Sequence, residues 1–140
     1  MTNVSIEPAD PTTPQVRNLL EASHALMGEL FPQEANHFLS VEKLKSPHIN
    51  FFVAKDVDDV LGCAALADHG SYGEVKSMFV APHARKRGVA DRLLSHLEDT
   101  ARSKAMTTLR LETGQPGLEA EHRLYERHGF KDCAAFGDYE

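Results

Sequence analysis

The chain lacks tryptophan altogether and has only two cysteines among its 140 residues. Cys63 lies inside an apolar, strand-like run, and Cys133 lies near the end, with no C-x-x-C pair anywhere. This spacing fits neither a metal site nor a redox motif, so the sequence predicts two reduced, buried thiols. The eight histidines form neither an H-x-H nor an H-E-x-x-H pattern. No metal site is therefore expected.

Long hydrophobic runs are also missing. No apolar run, Leu61–Ala67 included, approaches the ~20 residues that a membrane span needs. The start, Met1–Glu7, has neither the basic patch nor the apolar core of a secretory signal, so we expect a cytoplasmic location and no membrane partner. A net charge of −6 argues against a nucleic-acid partner, which would require a basic face. The length and the 41% hydrophobic content predict one globular domain over residues 1–140.

One basic cluster stands out against this acidic background. Arg85, Lys86 and Arg87 crowd a turn between an apparent strand and an apparent helix, and Gly88 follows them. The first N–H groups of a helix lack partners and lie at the positive end of the helix dipole, so an anion placed there meets free donors. Glycine allows close backbone approach to a bulky anion. The turn predicts a diphosphate site, and the alternative is a solvated basic turn before an ordinary amphipathic helix.

Two better-known phosphate-binding loops do not fit these residues. A P-loop needs Gly-Lys-Ser/Thr after a four-residue gap from its first glycine, and this pattern is missing. A Rossmann turn needs three glycines near the first strand of a βαβ unit, whereas Gly88 stands alone well past the middle of the chain. Both are excluded.

Hydrophobic periodicity predicts alternating strands and helices. Strands are predicted over residues 4–7, 49–55, 60–67, 72–80, 108–113 and 133–136. Helices are predicted over residues 14–30, 33–45, 90–103 and 118–128, the first capped by Thr13 and the last ended by Gly129. Tight turns at 56–59 and 68–71 predict antiparallel hairpins, and the helix after the basic turn predicts a βαβ crossover. We expect an α/β (α+β) fold whose mixed, mostly antiparallel central sheet has helices on both faces.

The element order and four sequence blocks resemble the GNAT superfamily of acetyl-CoA-dependent N-acetyltransferases. Arg85–Ala90 matches the family signature Arg/Gln-x-x-Gly-x-Gly/Ala, and Gly73–Pro82 resembles the strand before it. Leu109–Gly114 and Leu124–Phe130 resemble the later strand and helix, so the likeness spans essentially the whole chain. It implies the GNAT acyl-CoA N-acyltransferase fold and acetyl-CoA as co-substrate, with no metal.

The resemblance also implies which residues bind acetyl-CoA. The pyrophosphate would take backbone N–H bonds from Arg87, Gly88, Val89 and Ala90, with Arg85 and Arg87 adding charge and Lys86 in the same turn. The pantetheine arm would pair with the main chain of Met78, Phe79 and Val80, and an N–H near Met78 would hold the developing oxyanion. The family often has an asparagine before the helix tyrosine, where this chain has Leu118 with Glu119 beside it, so Glu119 is a further candidate contact.

Two residues are candidates for proton transfer. Glu74 is the predicted general base, because strand alternation would place Glu74, Lys76, Met78 and Val80 on one face; the alternative is that Glu74 only pairs with Lys76. Tyr125 is the predicted acid and a cofactor contact, and the alternative is a ring packed on the sheet beside Leu124.

The acceptor side is less defined. Glu34 and His37 open the predicted second helix, which in the family commonly borders the acceptor pocket; the alternative is an exposed helix start in which Glu34 favours the dipole. The family usually ends with one more strand, whereas only Gly137–Glu140 follow the predicted last strand, so by this resemblance we expect the sheet to be either one strand short or completed by a partner in a homodimer. The first prediction is acetyl transfer to a primary amine of a small, amino-acid-like molecule. The alternatives are a protein N-terminal or lysine acetyltransferase and a non-catalytic acyl-CoA-binding regulatory module.

Overall fold

A five-stranded sheet with helices packed on it forms the described part of the chain, which in this computed structural model is residues 4–30, 43–111 and 119–131. The strands are β1 Val4–Pro8, β2 Ile49–Asp56, β3 Asp59–Asp68, β4 Gly73–Val80 and β5 Leu109–Arg110. The helices are α1 Pro14–Leu30, α2 Val89–Ser103 and α3 Glu119–Arg127, with short 3₁₀ turns at Lys43–Lys45 and Pro82–Ala84.

The strands lie in chain order across the sheet, β1-β2-β3-β4-β5. The first four pair in antiparallel fashion, while β5 pairs with β4 in parallel, Gly73 beside Leu109 and Glu74 beside Arg110. α2 makes the crossover between β4 and β5, as expected for a parallel connection. The mixed, mostly antiparallel sheet is therefore confirmed.

Helices cover the two faces of this sheet, and each face has its own core. On one face, α2 contributes Leu93, Leu94 and Leu97, which pack with Leu66 and Val75 of the strands. On the other face, which we call the α1 side, α1 contributes Val16, Leu19 and Leu20. These pack with Phe51, Val53, Cys63, Ala65 and Phe79. Alternation along β2 and β3 sends successive side chains to opposite faces, which explains why these nearly continuous apolar strands are buried on both sides.

The predicted element boundaries largely agree with the structure. The strands predicted over 49–55, 60–67 and 72–80 end within one residue of β2, β3 and β4, and α2 begins one residue before the predicted 90–103. Two expectations change. Residues 43–45 of the predicted helix 33–45 form a 3₁₀ turn. Within the described part of the predicted strand 108–113, only Leu109–Arg110 form a strand, and residues 112–113 lie outside the described residues. The remainder of the helix, residues 33–42, and the predicted strand 133–136 lie outside the described residues.

Candidate active site

The basic turn leads directly from the end of β4 into α2. Lys86 and Gly88 both have left-handed backbone angles, φ 65° and 76°, and Gly88 is the N-cap of α2 with no side chain capping it. The first intrahelical bond runs from Arg92 N to Gly88 O, 3.1 Å, so the three preceding N–H groups of α2 have no acceptor within the helix. A Cβ built on Gly88 would meet open space. The turn thus offers uncapped donors beside a backbone that a large anion can approach.

The two arginines of the turn already have partners in the protein. Arg87 Nη2 lies 3.2 Å from Asp56 Oδ2 at the end of β2. Arg85 donates from Nε to Val80 O at 3.4 Å, and its guanidinium lies 5.9 Å from the centroid of the Phe79 ring. These contacts hold the turn against the ends of β2 and β4, and a phosphate at the turn would share Arg87 with Asp56.

A β-bulge interrupts β4 halfway along its length. Cys63 pairs with Phe79 and Ala65 pairs with Lys76, so Ala64 alone faces both Ser77 and Met78. Ser77 adopts a left-handed φ of 52°, which is uncommon for a residue other than glycine. The extra residue reverses the alternation of side chains beyond it.

This reversal corrects the expectation that Glu74, Lys76, Met78 and Val80 share one face. Glu74 and Lys76 lie opposite Ala67 and Ala65, on the α1 side of the sheet. Met78 and Val80 pack instead against the core on the α2 side. A strict two-residue period cannot hold across a bulge, and nothing in the local sequence marks the bulge with a glycine.

The structure places Glu74 in a buried cluster of charged and polar groups. The Glu74 side chain is 7% exposed, and its two oxygens lie 2.9 Å from His69 Nε2 and 3.4 Å from Lys76 Nζ. His69, 36% exposed, stacks on Tyr72 with 4.8 Å between ring centroids. The ion pair with Lys76 is the contact that the sequence predicted as the alternative to a catalytic role for Glu74. The carboxylate also has a route to solvent through the half-exposed imidazole.

His69 was not identified from the sequence as a site residue. It sits in the turn between β3 and β4, where Ala67 pairs with Glu74, so the hairpin brings residue 69 next to residue 74. The hairpin register was the available signal, because a tight turn places such residues on neighbouring strands.

Several of the candidate cofactor-binding residues lie on the α2 side of the sheet. Met78, Val80, Ala90 and Tyr125 all pack against the same core, which also contains Val89. The Tyr125 ring packs edge to face on Phe130, with 5.7 Å between the ring centroids. Tyr125 therefore also has a packing role, which was the alternative to its role as an acid. Phe79 points to the opposite face. Glu119 is the first residue of α3, and the acceptor candidates Glu34 and His37 lie outside the described residues.

The N-terminal turn of α2 is tied to the C-terminal end of α3. Asp91 receives hydrogen bonds from Arg127, 3.1 and 3.2 Å, and lies 3.0 Å from His128, which also reaches Glu98 at 3.1 Å. Partial burial raises the pKa of Asp91, but the contacts with His128 and Arg127 outweigh it and leave the pKa below its usual value. These pairs fix the end of α3 beside the uncapped turn.

The described residues show neither a metal site nor a membrane-spanning helix. Within residues 4–30, 43–111 and 119–131, no group of three or more His, Cys, Asp or Glu side chains is arranged to hold a metal ion. None of the helices in the same ranges combines the length and apolar character that crossing a membrane requires.

Known proteins are similar to this chain over most of its length. The model of the acetyltransferase (GNAT) domain matches residues 47–132. The chain is 42% identical to the IAA acetyltransferase of Azospirillum brasilense, over 99% of this chain and 92% of that protein. It is 38% identical to the uncharacterized N-acetyltransferase YedL of Escherichia coli, over 96% and 86%.

Solved structures agree in fold. A candidate acyl-CoA N-acyltransferase from Klebsiella pneumoniae superposes with a TM-score of 0.79 at 26% identity, covering 99% of this chain and 90% of that one. A GNAT family acetyltransferase from Elizabethkingia anophelis with acetyl-CoA bound gives a TM-score of 0.73 at 21% identity, covering 96% and 80%. Because the family model matches residues 47–132, more than half of the chain, and the two relatives are at least 38% identical over nearly its whole length, the chain belongs to the GNAT superfamily of N-acetyltransferases and is an acetyl-CoA-dependent acyltransferase.

Proposed function

We propose that the chain transfers the acetyl group of acetyl-CoA directly to the primary amine of a small, amino-acid-like molecule. One observation carries this proposal: β4 bears the buried carboxylate of Glu74, and beyond the bulge its residues Met78 and Val80 pack against the same core as Tyr125 of α3. Direct transfer needs a base beside the entering amine and an acid beside the departing sulfur. Glu74 on β4 and Tyr125 on α3 are the candidates for the two roles.

The residues at the turn fit the diphosphate of coenzyme A. The backbone N–H groups of Arg87, Gly88, Val89 and Ala90 are the proposed donors, with Lys86 exposed beside them and Arg87 shared with Asp56. Main-chain groups of Met78, Phe79 and Val80 are proposed to align the pantetheine arm, and Glu119 to contact the cofactor from the start of α3. Bound acetyl-CoA supplies an activated acyl group as a thioester.

Glu74 is the proposed general base. At pH 7 only about one in two thousand molecules of an alkyl amine with a pKa near 10.4 is neutral, a deficit of roughly 4.6 kcal/mol that proton removal must offset. Glu74 is held by His69 and Lys76, so its carboxylate has a fixed position, and the half-exposed His69 connects it to solvent. The proton taken from the amine would pass to Glu74, directly or through a water molecule.

The remaining catalytic and binding roles are assigned to other residues. The backbone N–H near Met78 is proposed to donate to the carbonyl oxygen as negative charge develops there. Tyr125 is proposed to give a proton to the departing thiolate. Glu34 and His37 are proposed to border the acceptor. A cytoplasmic location and pairing into a homodimer stay predictions from the sequence.

Release of free thiol from acetyl-CoA in the presence of a panel of amines tests the proposal. We expect turnover with small primary amines, a loss of about a hundredfold or more in kcat for Glu74→Gln, and a weakened dependence of rate on pH in that variant. Tyr125→Phe should also lower kcat. Glu98→Gln is a matched control, because Glu98 is also a largely buried carboxylate paired with a histidine but lies on α2.

Three outcomes would contradict the proposal or one of the roles assigned in it. No thiol release with any small amine, together with release in the presence of peptides, would indicate a protein acetyltransferase. A Glu74→Gln variant with the wild-type pH profile would remove Glu74 from the role of base, and full turnover of Tyr125→Phe would leave Tyr125 as a packing residue.

A further inference from the structure

The thiol of Cys63 contacts the bulge in β4. Cys63 lies directly opposite Phe79 in the β3–β4 ladder, and its Sγ donates to Ser77 O at 3.2 Å. The cysteine is fully buried among apolar side chains on the α1 side of the sheet. The backbone amide of Phe79 also acts on this sulfur as a hydrogen-bond donor. One side chain thus contacts the backbone on both sides of Met78.

The bulge needs such support because it is a strained arrangement. Ser77 has a left-handed φ of 52°, which disfavours a residue with a Cβ. The extra residue also disrupts the ladder with β3, and a buried carbonyl that leaves a ladder must find another donor. The Cys63 thiol supplies that donor to Ser77 O.

We propose that Cys63 is a positioning residue, whose thiol holds the β4 bulge in the form that aims the backbone N–H near Met78 at the reacting carbonyl. This inference rests on the proposed function of that N–H. Without the bulge, residues beyond Ser77 would exchange faces, because one residue of slip inverts the side-chain alternation. Met78 and Val80 would then leave the α2 side of the sheet, where they pack against the same core as Tyr125.

The chemistry of cysteine suits this role. Burial raises the pKa of the Cys63 thiol to about 12, against a smaller lowering effect of the Phe79 amide, so the sulfur keeps its proton over the working range of pH. A protonated thiol can donate to Ser77 O while it accepts from Phe79 N. It brings no charge into the core.

Four variants test the proposal. Cys63→Val is close in size but has no donor, Cys63→Ala is smaller and also has no donor, and Cys63→Ser keeps a donor. Cys63→Val combined with Ser77→Gly removes the penalty for a left-handed φ, because glycine adopts that conformation readily. The readouts are kcat, the KM for acetyl-CoA, and the amide chemical shifts of residues 77–79.

We expect Cys63→Val and Cys63→Ala to lower kcat about tenfold while the KM for acetyl-CoA stays within about twofold, since full loss of an oxyanion donor typically costs 10²–10³ in kcat. The amide signals of Met78 and Phe79 should shift. Cys63→Ser should retain most of kcat, and Ser77→Gly should restore it in the Cys63→Val background. Val53→Ala is the control, because Val53 pairs with Cys63 from β2 in the same core but does not contact the bulge.

Other results would overturn the proposal. These are wild-type kcat and amide shifts in both Cys63→Val and Cys63→Ala, a loss in Cys63→Ser equal to that in Cys63→Ala, or an equal loss of kcat in Val53→Ala. If Cys63→Val does not fold, Cys63→Ala decides. If the wild-type chain itself shows no acetyl transfer, the proposed function fails, and the amide shifts still decide whether Cys63 holds the bulge.

Discussion

Gly62 lies where the backbones of β3 and β4 leave no room for a side chain. A Cβ built on Gly62 would lie 2.8 Å from Phe79 O and 3.3 Å from Leu93 Cδ1. The closer atom belongs to the backbone, which cannot rotate away as a side chain can. Gly70, in the turn between β3 and β4, is the opposite case, since a Cβ there would meet nothing within 4 Å and only its φ of 85° disfavours other residues.

We therefore predict that Gly62→Ala destabilises the fold by about 2–3 kcal/mol, as expected for overpacking against a rigid neighbour. It should also lower kcat, because Phe79 adjoins the bulge. Gly70→Ala should cost only about 1–2 kcal/mol from its left-handed backbone and leave kcat unchanged. Urea unfolding and steady-state kinetics measure both effects. Equal stability losses in the two variants would show that the strands separate more easily than the structure indicates.

Single residues also show where sequence reasoning reaches its limit. That the turn at Gly88 binds a diphosphate stays a prediction, but its place in the chain could be located, because a glycine after three cations lies between a predicted strand and a predicted helix. The bulge at Ser77 could not, because a serine flanked by Lys76 and Met78 gives no local sign of a left-handed backbone. The error in assigning Met78 and Val80 to the face of Glu74 follows from that one residue.

At the scale of elements, the start of α2 is the proposed cofactor contact and Gly88 is its N-cap. Asparagine tolerates a left-handed φ better than most residues, so Gly88→Asn should cost less than about 1 kcal/mol in stability. The new side chain would occupy the space above the uncapped N–H groups. We predict that the KM for acetyl-CoA rises tenfold or more.

Gly129 offers a matched control for this variant. It also has a left-handed φ, 86°, and open space at its Cβ, but it follows α3 rather than preceding α2. Gly129→Asn should change stability to a similar degree and leave the KM for acetyl-CoA unchanged. A similar rise in KM for both variants would mean that the α2 turn does not contact the cofactor.

The link between α2 and α3 makes stability depend on pH through Asp91. The folded-state pKa of Asp91 lies below its usual value because the hydrogen bonds from His128 and Arg127 outweigh the effect of burial. A carboxylate with a depressed pKa stabilises the fold above the unfolded-state value near 3.9, and this contribution is lost as pH falls through the folded pKa.

We predict that Asp91→Asn lowers the free energy of unfolding by about 1 kcal/mol at pH 7, because Asp91 is partly exposed. The difference from the wild type should shrink as pH falls through the folded-state pKa of Asp91, below which both chains carry a neutral group at this position. Asp99→Asn is the control, because the pair between Asp99 and Arg102 is highly exposed and should contribute less than about 0.5 kcal/mol. A difference that does not shrink as pH falls below the unfolded-state value near 3.9 would contradict the assigned cause.

The elements themselves were largely predictable from the sequence. β2, β3, β4 and α2 are long, strongly patterned segments bounded by turn residues, and their limits agree with the structure within one residue. Contacts between elements were harder to infer. The pairs of Glu74 with His69 and of Arg87 with Asp56 depend on the register of strands that lie next to each other only after folding.

At the scale of the whole molecule, one sheet separates two cores, and Cys63 is fully buried in the one below α1. Thiolate is the reactive form of cysteine, and a pKa of about 12 leaves little of it at pH 8. Relative to an ordinary thiol with a pKa near 8.5, the thiolate fraction falls by more than about a thousandfold. Burial of the sulfur also keeps an alkylating reagent from reaching it.

We therefore predict that Cys63 is alkylated only when the fold opens. In a Cys133→Ser background, the labelling rate at pH 8 should be very low and should rise with urea in parallel with unfolding. The same chain fully unfolded in urea is the positive control. Mass spectrometry of the iodoacetamide product provides the measurement, and rapid labelling of the native chain without urea would show that this core opens locally.

The pairing of Arg87 with Asp56 bears on how tightly the proposed diphosphate site can hold coenzyme A. A phosphate bound at the turn, as proposed, would compete with a carboxylate that is already in place, 3.2 Å from the guanidinium. Asp56→Asn would remove the competitor, so the spent coenzyme should bind more tightly and leave more slowly. A lower Kd for CoA together with a lower kcat at saturation would show that Asp56 weakens binding of CoA and thereby speeds product release.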